Sequence, residues 1–176
     1  MNNDIGLLVR ALDFAARKHR MQRRKDDDAS PYINHPIALM KVLSIEAGIG
    51  DLGVLSAAAL HDTLEDTETT QAELAAEFGI ELALLVAEMT DDKSLPRAER
   101  KRLQIEHAPA MSGQATLVKL ADKICNLRDA SASPPSEWNV ERQREYFDWA
   151  KAVVDRLPKV NARLEAIFQA AYGLRP

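Results

Sequence analysis

The chain has 176 residues, a length typical of one globular domain, so we expect residues 1–176 to form a single domain. Hydrophobic residues make up 46% and charged residues 28%, and the net charge is −4, which excludes a disordered chain and a broadly basic nucleic-acid-binding surface. No apolar run is long enough to span a membrane and the first residues do not resemble a secretion signal, so we expect a cytoplasmic protein without a membrane partner. The only cysteine, Cys125, excludes an internal disulfide and a cysteine-rich zinc site.

Apolar residues recur at helical spacing along most of the chain, and no segment has the alternating pattern of a strand. The pattern predicts an all-α fold, an orthogonal helical bundle whose function depends on side chains in a cleft between helices. A loop is predicted over 131–136, where two prolines occur. The first predicted helix is capped by Asp4 and buries Leu8, Leu12, Ala15 and Ala16. The second begins at Asn34 and Pro36, the third extends over 52–60 and is capped by Asp51, and the fourth extends from the Thr70–Glu73 capping box to Gly79. Further helices are predicted over 80–89, 97–108, 115–129, 139–157 and 159–172.

Positive charge is concentrated between Arg17 and Lys25, where six of nine residues are Lys or Arg. The remainder of the chain therefore carries a net charge of −10, and one basic segment on an acidic protein favours a compact polyanion over a long nucleic acid. A solvated helix end is the alternative interpretation, because the helix dipole favours cations there, and it suits Arg17, Lys18 and Arg20 better than Arg24 and Lys25.

The third predicted helix is apolar on all sides and ends in His61 and Asp62. A buried carboxylate beside an imidazole is unfavourable unless it is paired or coordinated, and no Lys or Arg lies within twelve residues on either side. We therefore interpret the pair as a candidate metal site. Because neighbouring helical residues point about 100° apart, both side chains reach one ion only where the helix ends.

Two further candidate ligands come from other segments. His35 precedes Pro36, which biases its backbone to an extended conformation at a helix entrance. Asp122 and Asn126 lie four residues apart on the narrow polar stripe of a mostly apolar helix. Two imidazoles and two carboxylates suit Mn²⁺, Fe²⁺, Zn²⁺ or Mg²⁺. Each residue alone is more often a structural group or a cap than a ligand.

Taken together, the segments 31–36 (Pro-Tyr-Ile-Asn-His-Pro), 61–67 (His-Asp-Thr-Leu-Glu-Asp-Thr) and 117–128 (Leu-Val-Lys-Leu-Ala-Asp-Lys-Ile-Cys-Asn-Leu-Arg) resemble the HD-domain hydrolases of the RelA/SpoT family. Those enzymes degrade ppGpp, the alarmone of the stringent response. The resemblance extends over about residues 5–157 and is greatest to the short, single-domain members, including the metazoan type.

The resemblance implies a metal centre and a catalytic acidic pair. One Mn²⁺ ion per chain would be held by four ligands, namely His35, His61, Asp62 and Asp122. Glu65 and Asp66 match the catalytic pair of the family, in which a carboxylate orients the attacking water or accepts its proton. Judged from composition alone, the same two residues would belong to a solvated turn.

Residues that contact the substrate are also implied by the resemblance. Arg24 and Lys25 match an Arg-Lys pair, and Asn126 matches a polar residue that faces the ligand. Many relatives have a glycine turn after the Arg-Lys pair, whereas this chain has Asp-Asp-Asp-Ala-Ser at 26–30. Candidates for the far phosphate and the sugar are Arg97, Arg142 and Tyr146, each of which could instead be an ordinary surface residue.

The resemblance implies a metal-dependent hydrolase that removes pyrophosphate from the 3′ position of ppGpp or pppGpp, giving GDP or GTP. One alternative is another nucleotide phosphohydrolase activity on the same scaffold, such as removal of the 2′-phosphate of NADPH. A second alternative is a non-catalytic domain that binds a nucleotide or a nucleic acid through residues 17–25. The presence of both acidic residues beside four metal ligands argues against a role limited to binding.

Overall fold

The structure is a computed structural model that describes residues 5–26 and 28–176. These residues form helices joined by short turns and contain no strand, which confirms the all-α prediction. None of the described helices has the length and apolar character needed to cross a membrane. In chain order the helices are α1 (Ile5–Lys18), α2 (Asn34–Lys41), α3 (Leu52–Leu60), α4 (Thr63–Asp66), α5 (Gln71–Phe78), α6 (Ile80–Met89), α7 (Arg97–His107), α8 (Gly113–Ala132), α9 (Val140–Val154) and α10 (Ala162–Tyr172).

Helix α3 lies at the centre of the bundle. Its residues from Gly53 to Leu60 are all buried, and it contacts α1, α2, α6 and α8. A helix surrounded by other helices has no solvent face, which explains why its sequence is apolar on every side. The end of α3 therefore delivers the residues that follow it, His61 and Asp62, into the interior of the protein.

Predicted helix caps are present where the sequence places them. The carboxylate of Asp51 accepts hydrogen bonds from the backbone N–H groups of Gly53 and Val54 at the start of α3. The Thr70 hydroxyl accepts from the backbone N–H of Glu73 at the start of α5. Gly79 ends α5 with a φ of 91°, a left-handed conformation that favours glycine. The predicted cap Asp4 lies outside the described residues.

Several predicted boundaries and one buried face are wrong. The buried residues of α1 are Leu7, Ala11, Phe14 and Ala15, so the predicted stripe is rotated by about one residue and only Ala15 of it is fully buried. α9 ends at Val154 instead of 157, and α10 begins at Ala162 instead of 159. The π-helical turn over Val42–Glu46 that follows α2, and helix α4, were not predicted. α8 extends to Ala132, into the predicted loop, and Ala130 in its last turn is buried.

The connection after α1 forms a turn without glycine. Arg24 donates its backbone N–H to Ser30 O at 2.8 Å, and Arg23 and Pro31 form an isolated bridge. Ala29 has a φ of 46° in the left-handed region, and the Asp26 carboxylate accepts from the backbone N–H of Ser30 at 2.8 Å. An alanine and an aspartate cap thus close a turn for which glycine is the usual residue.

Candidate active site

The chain turns sharply between α3 and α4, and this turn carries His61 and Asp62. His61 is buried, and its Nδ1 lies 2.8 Å from the carbonyl oxygen of Ala58. Because a carbonyl oxygen only accepts hydrogen bonds, Nδ1 donates its proton to Ala58, and Nε2 is the ring nitrogen left to face the neighbouring carboxylates. Nε2 makes no hydrogen bond in the described residues, although it lies 2.9 Å from Asp62 Oδ2.

Two other helices contribute residues to the same point. His35, in the first turn of α2, is buried, with its ring centroid 5.3 Å from that of His61. Its Nε2 lies 3.3 Å from Oδ1 of Asp122 on α8, and the same oxygen is 4.0 Å from Nε2 of His61. The four predicted metal ligands therefore converge from three separate parts of the chain.

Charges at this cluster are set by mutual proximity. Burial by itself would raise the pKa of Asp62, but His61 and His35 hold it well below its usual range. Burial acts in the same direction on Asp122, whose pKa is lowered by Lys123 and by the two histidines. Burial lowers the pKa of His61, but the two carboxylates outweigh it and raise that pKa to about 9. Two ionised carboxylates thus lie beside two imidazoles in a buried site.

This donor set fits a divalent metal ion. Ligand atoms of His35, His61 and Asp62 all lie within 4.8 Å of one another, and Nε2 of His61 is buried without a hydrogen-bond partner among the described residues. Mixed imidazole and carboxylate ligands are typical of Mn²⁺, Fe²⁺ and Zn²⁺ sites.

Glu65 on α4 lies beside this cluster, in the wall of a cavity. Its side chain is 20% exposed, and it accepts from the backbone N–H of Asp91 at 3.3 Å and from Arg100 Nη1 at 3.4 Å. Burial, together with the negative charges of Asp91 and Asp62, raises the pKa of Glu65 to about 6. A carboxylate with this pKa is mostly ionised at neutral pH and is suited to accept a proton.

Asp66 has a more external position. It forms an ion pair with Lys93, and its backbone carbonyl accepts from Gln22 Nε2 at 2.6 Å. Unlike Glu65, it does not belong to the lining of the cavities described below. The structure therefore separates the two predicted acids into one beside the metal-type cluster and one at its edge.

Tyr32 lies between Asp62 and Asp66 and contacts both carboxylates, and sequence reasoning did not single it out. Its hydroxyl donates a hydrogen bond to Asp62 Oδ2 and lies 3.4 Å from Asp66 Oδ2. The ring stacks on His19 at 4.7 Å, and the guanidinium of Arg24 lies 5.8 Å from its centroid. Burial and the two carboxylates raise the pKa of Tyr32 well above its usual range, so the hydroxyl remains a donor.

Two adjoining cavities open beside these residues. The smaller, of about 240 Å³, contains the metal-type cluster and Glu65 and is called here the metal cavity. The larger, of about 660 Å³, is called here the outer cavity, and its lining includes Lys25, Pro135 and Trp138. Residues shared by both linings mark the junction, and they are Arg24, Tyr32, His35, Arg97, Asn126 and Tyr146.

Most predicted substrate-binding residues line these cavities. Arg24 is at the junction, where its guanidinium pairs with Asp129, and Asn126 Nδ2 donates to Asp122 Oδ1 at 2.6 Å. Arg142 differs from the others, because it lines neither cavity. Its guanidinium bonds Glu145 at 2.9 Å.

Comparison with known proteins agrees with this geometry. The model of the HD domain family matches residues 11–150. Human guanosine-3′,5′-bis(diphosphate) 3′-pyrophosphohydrolase MESH1 is 54% identical over 99% of this chain and 98% of its own length. The Drosophila melanogaster protein of the same name is 52% identical over 89% of this chain and 88% of its own length. The chain belongs to the HD-domain hydrolase family. A solved structure described as a metazoan orthologue of SpoT that hydrolyses ppGpp superposes on this HD-domain chain with a TM-score of 0.92, at 49% identity over 96% of this chain and 95% of that one.

A cationic face of α7 in this HD-domain hydrolase was missed by sequence reasoning except for Arg97. The side chains of Arg100, Lys101 and Gln104 also line the metal cavity. A signal was available in their spacing, because positions i, i+3, i+4 and i+7 of a helix lie on one face. On α7 that face contains no apolar residue, which is unusual for a helix that covers a cavity.

Proposed function

We propose that this chain hydrolyses guanosine 3′,5′-bis(diphosphate) at the 3′ position, releasing pyrophosphate and GDP. The observation that carries the proposal is the pair of adjoining cavities, one with metal-type ligands and an acid of raised pKa and the other with room for a nucleoside. Relatives named for this activity match nearly the whole chain. An ester bond between a nucleoside and a diphosphate would lie at the junction.

The metal in this proposal is Mn²⁺, held by His35, His61, Asp62 and Asp122. Such an ion supplies Lewis acidity, which polarises phosphoryl oxygens and favours ionisation of water. Borderline-to-hard divalent ions accept both imidazole nitrogen and carboxylate oxygen, as this cluster requires. The hydroxyl of Tyr32 and the amide of Asn126 orient the two carboxylates by hydrogen bonds.

In the proposed reaction, Glu65 accepts a proton from the attacking water. The water oxygen forms a bond to the phosphorus attached to the ribose 3′ oxygen. The bond between that phosphorus and the 3′ oxygen breaks, and the 3′ oxygen keeps the electron pair and takes up a proton. Arg100 holds the Glu65 carboxylate toward the metal cavity through its contact at 3.4 Å. Arg24 at the junction provides a positive charge for the phosphates of the substrate.

Parallel incubation of the protein with ppGpp and with NADPH tests the proposal, with products identified by chromatography. We expect GDP and pyrophosphate from ppGpp, loss of turnover after EDTA treatment, and recovery with Mn²⁺. Turnover of NADPH alone would replace ppGpp by a 2′-phosphorylated ribose as substrate. Full activity after exhaustive chelation would overturn the metal-dependent mechanism.

A further inference from the structure

Helix α7 covers the metal cavity with charged and polar side chains. Arg97, Arg100, Lys101 and Gln104 occupy positions i, i+3, i+4 and i+7, the spacing at which a helix usually presents apolar residues to the interior. None of the residues of α7 is fully buried. Three cations on one wall of a cavity attract an anionic ligand to that wall.

Two cations of this face make no ion pair among the described residues, and of these Arg97 is exposed whereas Lys101 is half-buried. Among the described residues its ammonium makes no ion pair, and its charged neighbours are the cations Arg142, Arg97 and Lys123 and the exposed Glu145. In contrast, Arg100 contacts Glu65 at 3.4 Å. Burial and the three cations lower the pKa of Lys101 to about 8, so an anion beside its ammonium would stabilise the charged form.

Aromatic side chains of α9 hold Lys101 in place. Its Nζ lies 4.4 Å from the ring centroid of Trp149 and 5.5 Å from that of Tyr146. The indole N–H of Trp149 donates to the backbone carbonyl of Lys101 at 3.1 Å, which fixes the main chain as well. A lysine ammonium held over aromatic rings loses little further freedom when it binds an anion.

Trp149 also contacts a second lysine, Lys123, which is linked to the metal-type cluster. Lys123 is buried, with its Nζ 4.4 Å from the Trp149 centroid and 3.3 Å from Oδ2 of Asp122. Lys123 is therefore already paired with a carboxylate, whereas Lys101 remains available to an incoming group. Both line the metal cavity, so an anion that reaches the cluster also comes near Lys101.

We propose that Lys101 binds the terminal phosphate of the 3′-diphosphate and, after cleavage, the pyrophosphate product. The inference rests on the proposed function, because it assigns the α7 side of the metal cavity to the diphosphate part of that substrate. It makes Lys101 a binding residue for pyrophosphate and assigns it no contact with GDP, whose nucleoside occupies the outer cavity.

The test compares Lys101→Met, Lys101→Arg and a control, Lys159→Met. Methionine keeps the apolar stem that packs on the rings, arginine keeps the charge, and Lys159 is a lysine with 62% exposure far along the chain in the α9–α10 connection. Binding of inorganic pyrophosphate is measured by calorimetry on Mn²⁺-loaded protein, and inhibition of ppGpp hydrolysis is measured for pyrophosphate and for GDP.

We expect the dissociation constant and the inhibition constant of pyrophosphate to rise about 10- to 100-fold in Lys101→Met, the range for loss of one charge-assisted hydrogen bond. The inhibition constant of GDP should stay unchanged, Lys101→Arg should restore most of the loss, and Lys159→Met should match the wild type. Unchanged pyrophosphate binding in Lys101→Met, or an equal rise for GDP, would overturn the inference. Absence of ppGpp hydrolysis by the wild type would refute the proposed function, while the calorimetric comparison would still decide the role of Lys101.

Discussion

Tyr32→Phe removes the hydroxyl of Tyr32 and keeps its aromatic ring, so this variant tests the hydrogen bonds of the hydroxyl separately from the ring contacts. The ring contacts with His19 at 4.7 Å and with Arg24 at 5.8 Å do not involve the hydroxyl and should persist. What disappears is the hydrogen bond to Asp62 and the 3.4 Å contact with Asp66. A hydrogen bond to a charged group contributes about 1.5–3 kcal/mol, and loss of a donor that orients a metal ligand lowers metal affinity about 10- to 100-fold.

We therefore expect the dissociation constant of Mn²⁺ to rise about 10- to 100-fold in Tyr32→Phe, measured by titration against a competing chelator. Activity should recover at high Mn²⁺ concentration, because Glu65 is untouched. The matched control is Tyr172→Phe, whose hydroxyl donates to Asp148 at 3.0 Å on the surface, and it should bind Mn²⁺ like the wild type. An unchanged dissociation constant in Tyr32→Phe, or an equal rise in both variants, would refute the argument.

Three further outcomes are expected. Because the pKa of Glu65 is about 6, its carboxylate is ionised above that pH, and kcat/KM of the wild type should rise through about pH 6. Glu65→Gln should lack this rise and lose about 100-fold or more in kcat, with unchanged metal content. A parallel fall in metal content would make Glu65 a ligand instead. Arg24→Ala should lower kcat/KM by about 10- to 100-fold, since Arg24 pairs with Asp129 at the cavity junction. Arg17→Ala, on the surface of α1, should leave kcat/KM unchanged. Equal losses in both variants would indicate general electrostatic attraction. The pKa of His61, about 9, lies above the ordinary value of 6.5, so protonation of His61 stabilises the metal-free protein fully below about pH 6.5. The Tm of the metal-free protein should therefore fall as the pH rises through about 9. A Tm that stays constant in calorimetric scans over this range would contradict the assignment.

Local signals in the sequence were sufficient for much of the fold. The cap at Asp51, the box at Thr70 and the left-handed glycine at Gly79 each depend on residues within four positions of one another, and each is present. No such local pattern predicts the π-helical turn over Val42–Glu46. Its last residue, Glu46, forms a two-bonded ion pair with Arg128, 82 residues away, which no local pattern encodes.

The candidate site likewise contains residues that the sequence indicates and residues whose roles only the fold reveals. His61 and Asp62 stand out because charge follows an apolar helix, a conflict that is visible in the sequence. Tyr32, which bonds Asp62, and Lys101, which lines the same cavity, are common residue types that no motif marks, and their roles depend on which side chains the fold places beside them. The hydrogen bond from Tyr32 spans 30 residues, and Lys101 meets Trp149 across 48.

The junction between the two cavities has a consequence for turnover. A substrate that occupies both cavities binds through two sites at once, so each half holds the other at a high effective concentration. Cleavage of the bond at the junction turns this bivalent ligand into two monovalent ones, and neither product spans both cavities. In the proposed function, the division of the cleft thus favours retention of the intact nucleotide and independent dissociation of its two fragments.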